Sequence, residues 1–158
     1  MRLKSYIAGA LTAAAVIVAT EACSSINCQL NNTVYTTLGF YQDTTTSTAV
    51  SLLDTLTITA AGTDSILINQ EYSASSVELP MSYGGDVDQL IFSCASMGAD
   101  TLWIYHTNYP YYETPECGTA VFHDITRVES THHFILTTKI VKSSVNYDGE
   151  ENVKIYFK

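Results

Sequence analysis

The sequence predicts an all-β protein: a single-domain antiparallel β-sandwich, immunoglobulin-like or Greek-key, of about nine strands, preceded by a signal helix. Three observations carry the prediction. After residue 22 no segment repeats its apolar residues at helical spacing. Thr, Val, Ile and Tyr, which suit a pleated half-buried surface, recur in short alternating runs. Turn chemistry such as Ala61-Gly62-Thr63-Asp64, Tyr83-Gly84-Gly85-Asp86 and Asp148-Gly149 separates those runs.

The chain opens with a segment that is not part of the sandwich. Arg2 and Lys4 precede an apolar run from Tyr6 to Ala19, and small Ala22 follows, the order of a secretory signal peptide. That run of 14 residues is too short for a membrane span, which takes about 20. A cut before Cys23 makes this cysteine the mature N-terminus and the site of lipidation. The division is then residues 1–22 signal, 23–32 anchor and tether, and 33–158 the β domain. Glu21 departs from a bacterial lipobox, so a soluble secreted chain with Cys23 in a disulfide is the alternative.

Thr33 to Tyr41 reads as the first strand, with Val34, Leu38 and Phe40 inward. Leu56–Ala60 and Asp64–Asn69 follow as a hairpin across the Ala61-Gly62 turn. Val77-Glu78-Leu79 is short and meets Pro80, which lacks a ladder donor, and so belongs at an edge or an end. Gln89–Ala95 is the next strand. Thr101-Leu102-Trp103-Ile104-Tyr105 is apolar at both parities, which predicts a central strand covered on both faces or half covered by a partner. His106 to Glu116, with Pro110 and Pro115, reads as a loop. Gly118–Asp124 and Phe134–Val141 are strands, with His132 and His133 adjacent on the second. The closing run Asn152–Lys158 alternates cleanly: Val153, Ile155 and Phe157 inward, Lys154, Tyr156 and Lys158 outward.

Composition limits the function. Sixteen acidic side chains face 7 basic ones, for a net charge of −9, and a field of that sign repels phosphate backbones. Nucleic acid is excluded as a partner, and contact with a membrane is expected through an N-terminal lipid only. No C-x-x-C pair occurs among Cys23, Cys28, Cys94 and Cys117. With Cys23 lipidated, Cys94 reads as a buried small side chain. Cys28 and Cys117, each just outside a strand, are the disulfide candidates.

No metalloprotease helix, nucleophile elbow or phosphate-cradling glycine loop is present, so no catalytic residue and no cofactor is expected. Asp86, Asp88, Asp148 and Glu150 lie in acidic turns that could supply oxygen ligands to calcium, without EF-hand spacing. The best recognition candidate is the tyrosine loop: Tyr105, Tyr109, Tyr111 and Tyr112 offer flat apolar faces with a hydroxyl, suited to sugars or protein partners.

Several short pieces, Asp54-Thr55-Leu56-Thr57-Ile58, Asp64-Ser65-Ile66-Leu67, Val77-Glu78-Leu79-Pro80, Asp100 to Tyr105, Glu116-Cys117-Gly118 and Asn152 to Phe157, resemble an uncharacterised family of Bacteroidetes-type cell-envelope lipoproteins, defined as a domain of unknown function. The resemblance implies an exported, outer-membrane-associated lipoprotein on the periplasmic side or the cell surface, and brings no activity. The expectation is a non-enzymatic, lipid-anchored binding or assembly protein with an envelope protein or a glycan as partner. A carbohydrate-binding module using the Tyr105–Tyr112 loop is the alternative. An envelope hydrolase, for which no sequence feature speaks, comes third.

Overall fold

Alternation of β-branched and aromatic residues gives each strand one apolar face, and two such sheets must meet to bury them. The computed structural model describes residues 33–42, 44–45 and 49–158, and in these two sheets pack together. The strands are β1 (Tyr35–Tyr41), β2 (Thr55–Ala60), β3 (Ile66–Tyr72), β4 (Ser76–Pro80), β5 (Val87–Cys94), β6 (Gly98–Tyr112), β7 (Thr119–Ser130), β8 (Ile135–Ile140), β9 (Ser144–Val145) and β10 (Glu151–Phe157). Sheet order is β4-β1-β10-β8 in one layer and β3-β2-β5-β6-β7-β9 in the other. The signal, the Cys23 anchor and Cys28 lie outside the described residues.

The all-β sandwich is as predicted, with ten strands where about nine were expected; short β9 lacked an apolar run to announce it. One pairing is not antiparallel. The first and last strands, β1 and β10, lie side by side in parallel, with a register shift between Thr37 and Leu38. Buried Asn152 repairs the ladder there. Its Oδ1 accepts the Thr37 N–H at 3.0 Å, and its Nδ2 donates to the carbonyls of Ser144 (2.9 Å) and Lys142 (3.2 Å). A few residues on, Gly39 lets Glu151 approach β1: a Cβ there would sit 1.7 Å from its Oε2, the carboxylate that accepts the Tyr41 hydroxyl.

The core lies between the sheets. Leu38, Phe40, Leu79, Ile155 and Phe157 from one layer meet Leu56, Ile58, Phe92, Leu102 and Ile104 from the other, all within a few per cent of full burial. Phe40 and Phe134 flank Phe157, with ring centroids 5.3 and 5.8 Å away. Tyr156, expected to face out, is buried instead. β10 lies inside its sheet, and Tyr156 packs on Tyr41 of parallel β1 at 5.5 Å. β4 ends on Pro80 and forms a sheet edge, as its missing donor requires.

Two further expectations need correction. The Thr101–Tyr105 segment is central, but one face only is covered: Leu102 and Ile104 are buried, while Trp103 and Tyr105 lie half-buried on the outer face. His132 and His133 are not on a strand. They lie in the turn before β8, and His132 takes a left-handed backbone (φ 61°).

Candidate functional site

The predicted tyrosine loop is a strand. β6 runs unbroken for 15 residues to Tyr112, and β7 pairs with it from Leu102↔Ser130 to Tyr112↔Thr119. The β5 ladder stops earlier, at Val87↔Tyr105. Beyond that point β6 has a strand partner on one side only, which is how Pro110 fits mid-strand without costing a ladder bond. The result is a two-stranded arm extending past the end of β5. Tyr109, Tyr111 and Tyr112 are exposed on it, but two of them are also packed. Tyr111 stacks on Phe122 at 4.2 Å, and Tyr109 meets Phe122 edge-on at 6.1 Å. Phe122 in turn meets Tyr147 at 5.1 Å. Tyr105 stands apart, with the Arg127 guanidinium 4.0 Å above its ring.

On the inner face of the same arm the strands bring together two histidines that the sequence keeps apart. β6 alternates Leu102, Ile104, His106, Asn108 inward, and His123 of β7 pairs opposite Asn108. His106 and His123 are 2% and 0% exposed, with ring centroids 5.2 Å apart. Asn108 Nδ2 faces three carbonyls, those of Gly85 (2.7 Å), Tyr83 (3.1 Å) and Ser82 (3.2 Å), so this atom is the donor. Its Oδ1 is therefore an acceptor, and the Nδ1 of both histidines lies 2.7 Å from it. Each Nδ1 must carry a hydrogen. In the neutral rings both Nε2 atoms are then bare lone pairs. Neither has a hydrogen-bond partner, though His106 Nε2 lies 3.2 Å from Asp88 Oδ2, where only a proton between them would bind them. Burial, and then the facing His106, push the His123 pKa down to about 4. Tyr83 stacks on His123 at 6.3 Å.

This cluster fastens the Ser82–Asp86 turn to the arm. Asn108 takes three of its carbonyls, Asp88 accepts the Ser82 N–H at 3.1 Å, and the His106 N–H donates to Asp86 O at 2.9 Å. Both rings are buried, and the cluster's hydrogen bonds run to the backbone of that turn. Sequence reasoning missed it because the two histidines are on different strands. The available signal was parity: His106 and Asn108 continue the inward row of Leu102 and Ile104, and polar groups placed there demand partners.

Comparison with known families fits this scaffold. A family model matches residues 55–157, the first residue of β2 to the last of β10. The chain belongs to DUF6452, a family of unknown function. The matched span holds the histidine pair, Asp100 and the whole β6–β7 arm. No curated protein and no solved structure matches the chain.

Three of the four acidic-turn carboxylates of this DUF6452 protein bond its own groups. Lys142 bonds both calcium candidates at the last turn, Asp148 and, at 2.8 Å, Glu150. Asp88 serves the Ser82–Asp86 turn, and Asp86 contributes its carbonyl to His106 N–H. Among the described residues no group of three or more His, Cys, Asp or Glu could hold a metal ion. Cys94 is buried, and burial, then Asp54 and Asp100, raise its thiol pKa to about 11. The Cys28–Cys117 pairing involves a residue outside those described.

Asp100, 1% exposed, was not singled out from sequence. Its two oxygens accept the backbone N–H groups of His133, Phe134 and Ile135, each at 2.8 Å, and the Thr131 hydroxyl. Burial alone would raise its pKa; the bonds from Ile135, Thr131, His133 and Phe134 outweigh that and hold it at about 2.

Proposed function

We propose that this DUF6452 member is an exported, lipid-anchored and non-catalytic binding or assembly protein of a bacterial cell envelope. Cys23 carries the lipid, residues 24–32 form the tether, and the sandwich stands on the periplasmic side or the outer surface of the outer membrane. The observation that supports a binding role is the β6–β7 arm. It carries exposed tyrosines, and its buried histidine pair is spent on holding a turn in place. Asp54 is spent likewise, on the N–H groups of Thr55 (2.7 Å) and Ser96 (2.9 Å). In this reading a Cys28–Cys117 disulfide would tie the tip of the arm to the tether.

Lipid burial contributes about 0.8 kcal/mol per methylene, so a multiply acylated Cys23 anchors firmly where the acidic surface alone would not. Intact-mass spectrometry of the protein extracted from membranes tests the anchor. The expected species begins at Cys23 and carries acyl mass. A chain beginning there without added mass, or one that keeps residues 1–22, overturns the tether. Thiol labelling of the same sample under denaturing, non-reducing conditions is expected to tag Cys94 alone.

A further inference from the structure

The outer face of β6 carries a longer row that takes in three of the arm's tyrosines. Trp103, Tyr105, Thr107, Tyr109 and Tyr111 occupy every second position, opposite in parity to buried Leu102, Ile104 and His106. At about 3.4 Å per residue their side chains stand about 7 Å apart, along a track of about 27 Å from Trp103 to Tyr111. Across the track β7 presents Glu129 opposite Trp103, Arg127 opposite Tyr105, and Asp124 opposite Thr107. At the Trp103 end the row runs into an open groove of about 430 Å³ lined by Trp103, Glu129, Ser130, His132, Thr137 and Thr138.

We infer that this face is a saccharide platform, on which an extended neutral glycan lies along the β6 aromatic row with one end in the Trp103–Thr138 groove. The inference rests on the binding role above and names its ligand. Aromatic rings spaced by hydroxyl, carboxylate and guanidinium groups match a sugar strand, whose rings show apolar C–H faces and whose rims show hydroxyls. A protein partner would ask for an apolar centre depleted of charge, whereas here Arg127 and Glu129 sit between the rings, 3.1 Å from each other. That pair cancels and Asp124 leaves the track one net negative charge, and the net charge of −9 disfavours polyanions. The rings are also held before any ligand arrives. Arg127 covers one face of Tyr105, Glu129 takes the Tyr105 hydroxyl at 3.2 Å, and Phe122 backs Tyr111. Little side-chain freedom remains to be lost on binding.

Trp103 is the sole tryptophan of the chain, so its fluorescence reports this groove directly. The full-length protein in detergent is titrated with neutral hexasaccharides: cellohexaose, xylohexaose, mannohexaose and chitohexaose. A saturable shift in Trp103 emission is expected with at least one. By calorimetry, Trp103→Ala is expected to weaken that binding about tenfold or more, and Tyr109→Ala by less. Thr138→Arg, which fills the groove and leaves the rings in place, is expected to weaken it too. Unchanged melting temperatures confirm that the variants fold. No emission change with any of the four sugars overturns the platform, as does binding that Trp103→Ala and Thr138→Arg leave intact. Neither result touches the lipid anchor, which is decided by mass.

Discussion

Replacing Asp100 by Ala is expected to destabilise the domain by about 3–5 kcal/mol. The carboxylate accepts the N–H groups of Phe134 and Ile135, each at 2.8 Å, and both residues are buried, at 4% and 0% exposure. Removing it strands these amides in the core, at about 1–3 kcal/mol for each buried donor. The turn cannot swing out to water without pulling Phe134 from Phe157 and Ile135 from the core. It is also held from the other side, since Lys158 Nζ donates to the carbonyls of His132 (2.6 Å) and His133 (2.9 Å). Asp100→Asn keeps the shape but turns one acceptor into a donor facing N–H groups, so its loss should be comparable. Urea unfolding at pH 7 measures both, and a change below about 1 kcal/mol in each would refute the role. The same bonds fix an acid limb. With a folded pKa of about 2 against an ordinary 3.8, the stabilisation is present above pH 3.8 and is lost as pH falls toward 2.

The strands were legible where one face is apolar and the other polar. Val153, Ile155 and Phe157 announce their burial by period, and Val77-Glu78-Leu79 announces an edge by stopping at Pro80. Legibility failed where a neighbouring strand changes what a residue meets. Tyr156 sits at outward parity, yet Tyr41 of β1 covers it, a contact between the two ends of the chain that no local pattern encodes. Pro110 and the tyrosines around it signal a loop by composition. They lie in a strand because β5 has already ended and the proline interrupts no ladder on that side. His132 and His133 follow a run of strand character, but Asp100, more than 30 residues earlier, accepts the amides of His133, Phe134 and Ile135 and holds a turn there.

The two faces of β6 therefore carry different kinds of information. The outer row, Trp103 to Tyr111, could be read at period 2 once the segment was known to be extended, because each of its rings answers to solvent and to direct neighbours on the adjoining strands. The inner row could not. His106 and Asn108 make sense only with His123, and that partner is set by the β6–β7 register, including the shift between Tyr105 and His106 that places Ile125 opposite His106. Buried polar groups of this kind are specified by pairing, not by pattern, and sequence inspection finds half of each.

His123 should make the fold acid-sensitive in a window above the limbs of Asp54, Asp100 and Asp148. His123 titrates near 6.5 in an unfolded chain and at about 4 in the folded one, so the unfolded state binds more protons between those values. Stability is then full above about pH 6.5, falls as pH drops through the window, and levels off below about 4, for a total of about 3 kcal/mol. The cause is geometric. Protonation puts a hydrogen on Nε2, and His123 Nε2 is buried with nothing to accept it. The groups around the ring offer no relief. Asn108 Oδ1 is already shared at Nδ1, His106 adds positive charge when protonated, Tyr83 presents its ring face, and Val145 of β9 is apolar. Asp88 lies against His106 instead, 3.2 Å from its Nε2. Asp54, Asp100 and Asp148 are all shifted down from 3.8, so their limbs lie below this window. Urea midpoints measured from pH 4 to pH 8 should show the slope in the native chain. His123→Gln, which keeps a donor for Asn108 without an ionisable ring, should be less stable at pH 7 and much flatter across the window. A flat native profile, or a slope that His123→Gln leaves untouched, would show that the buried pair does not govern the acid response.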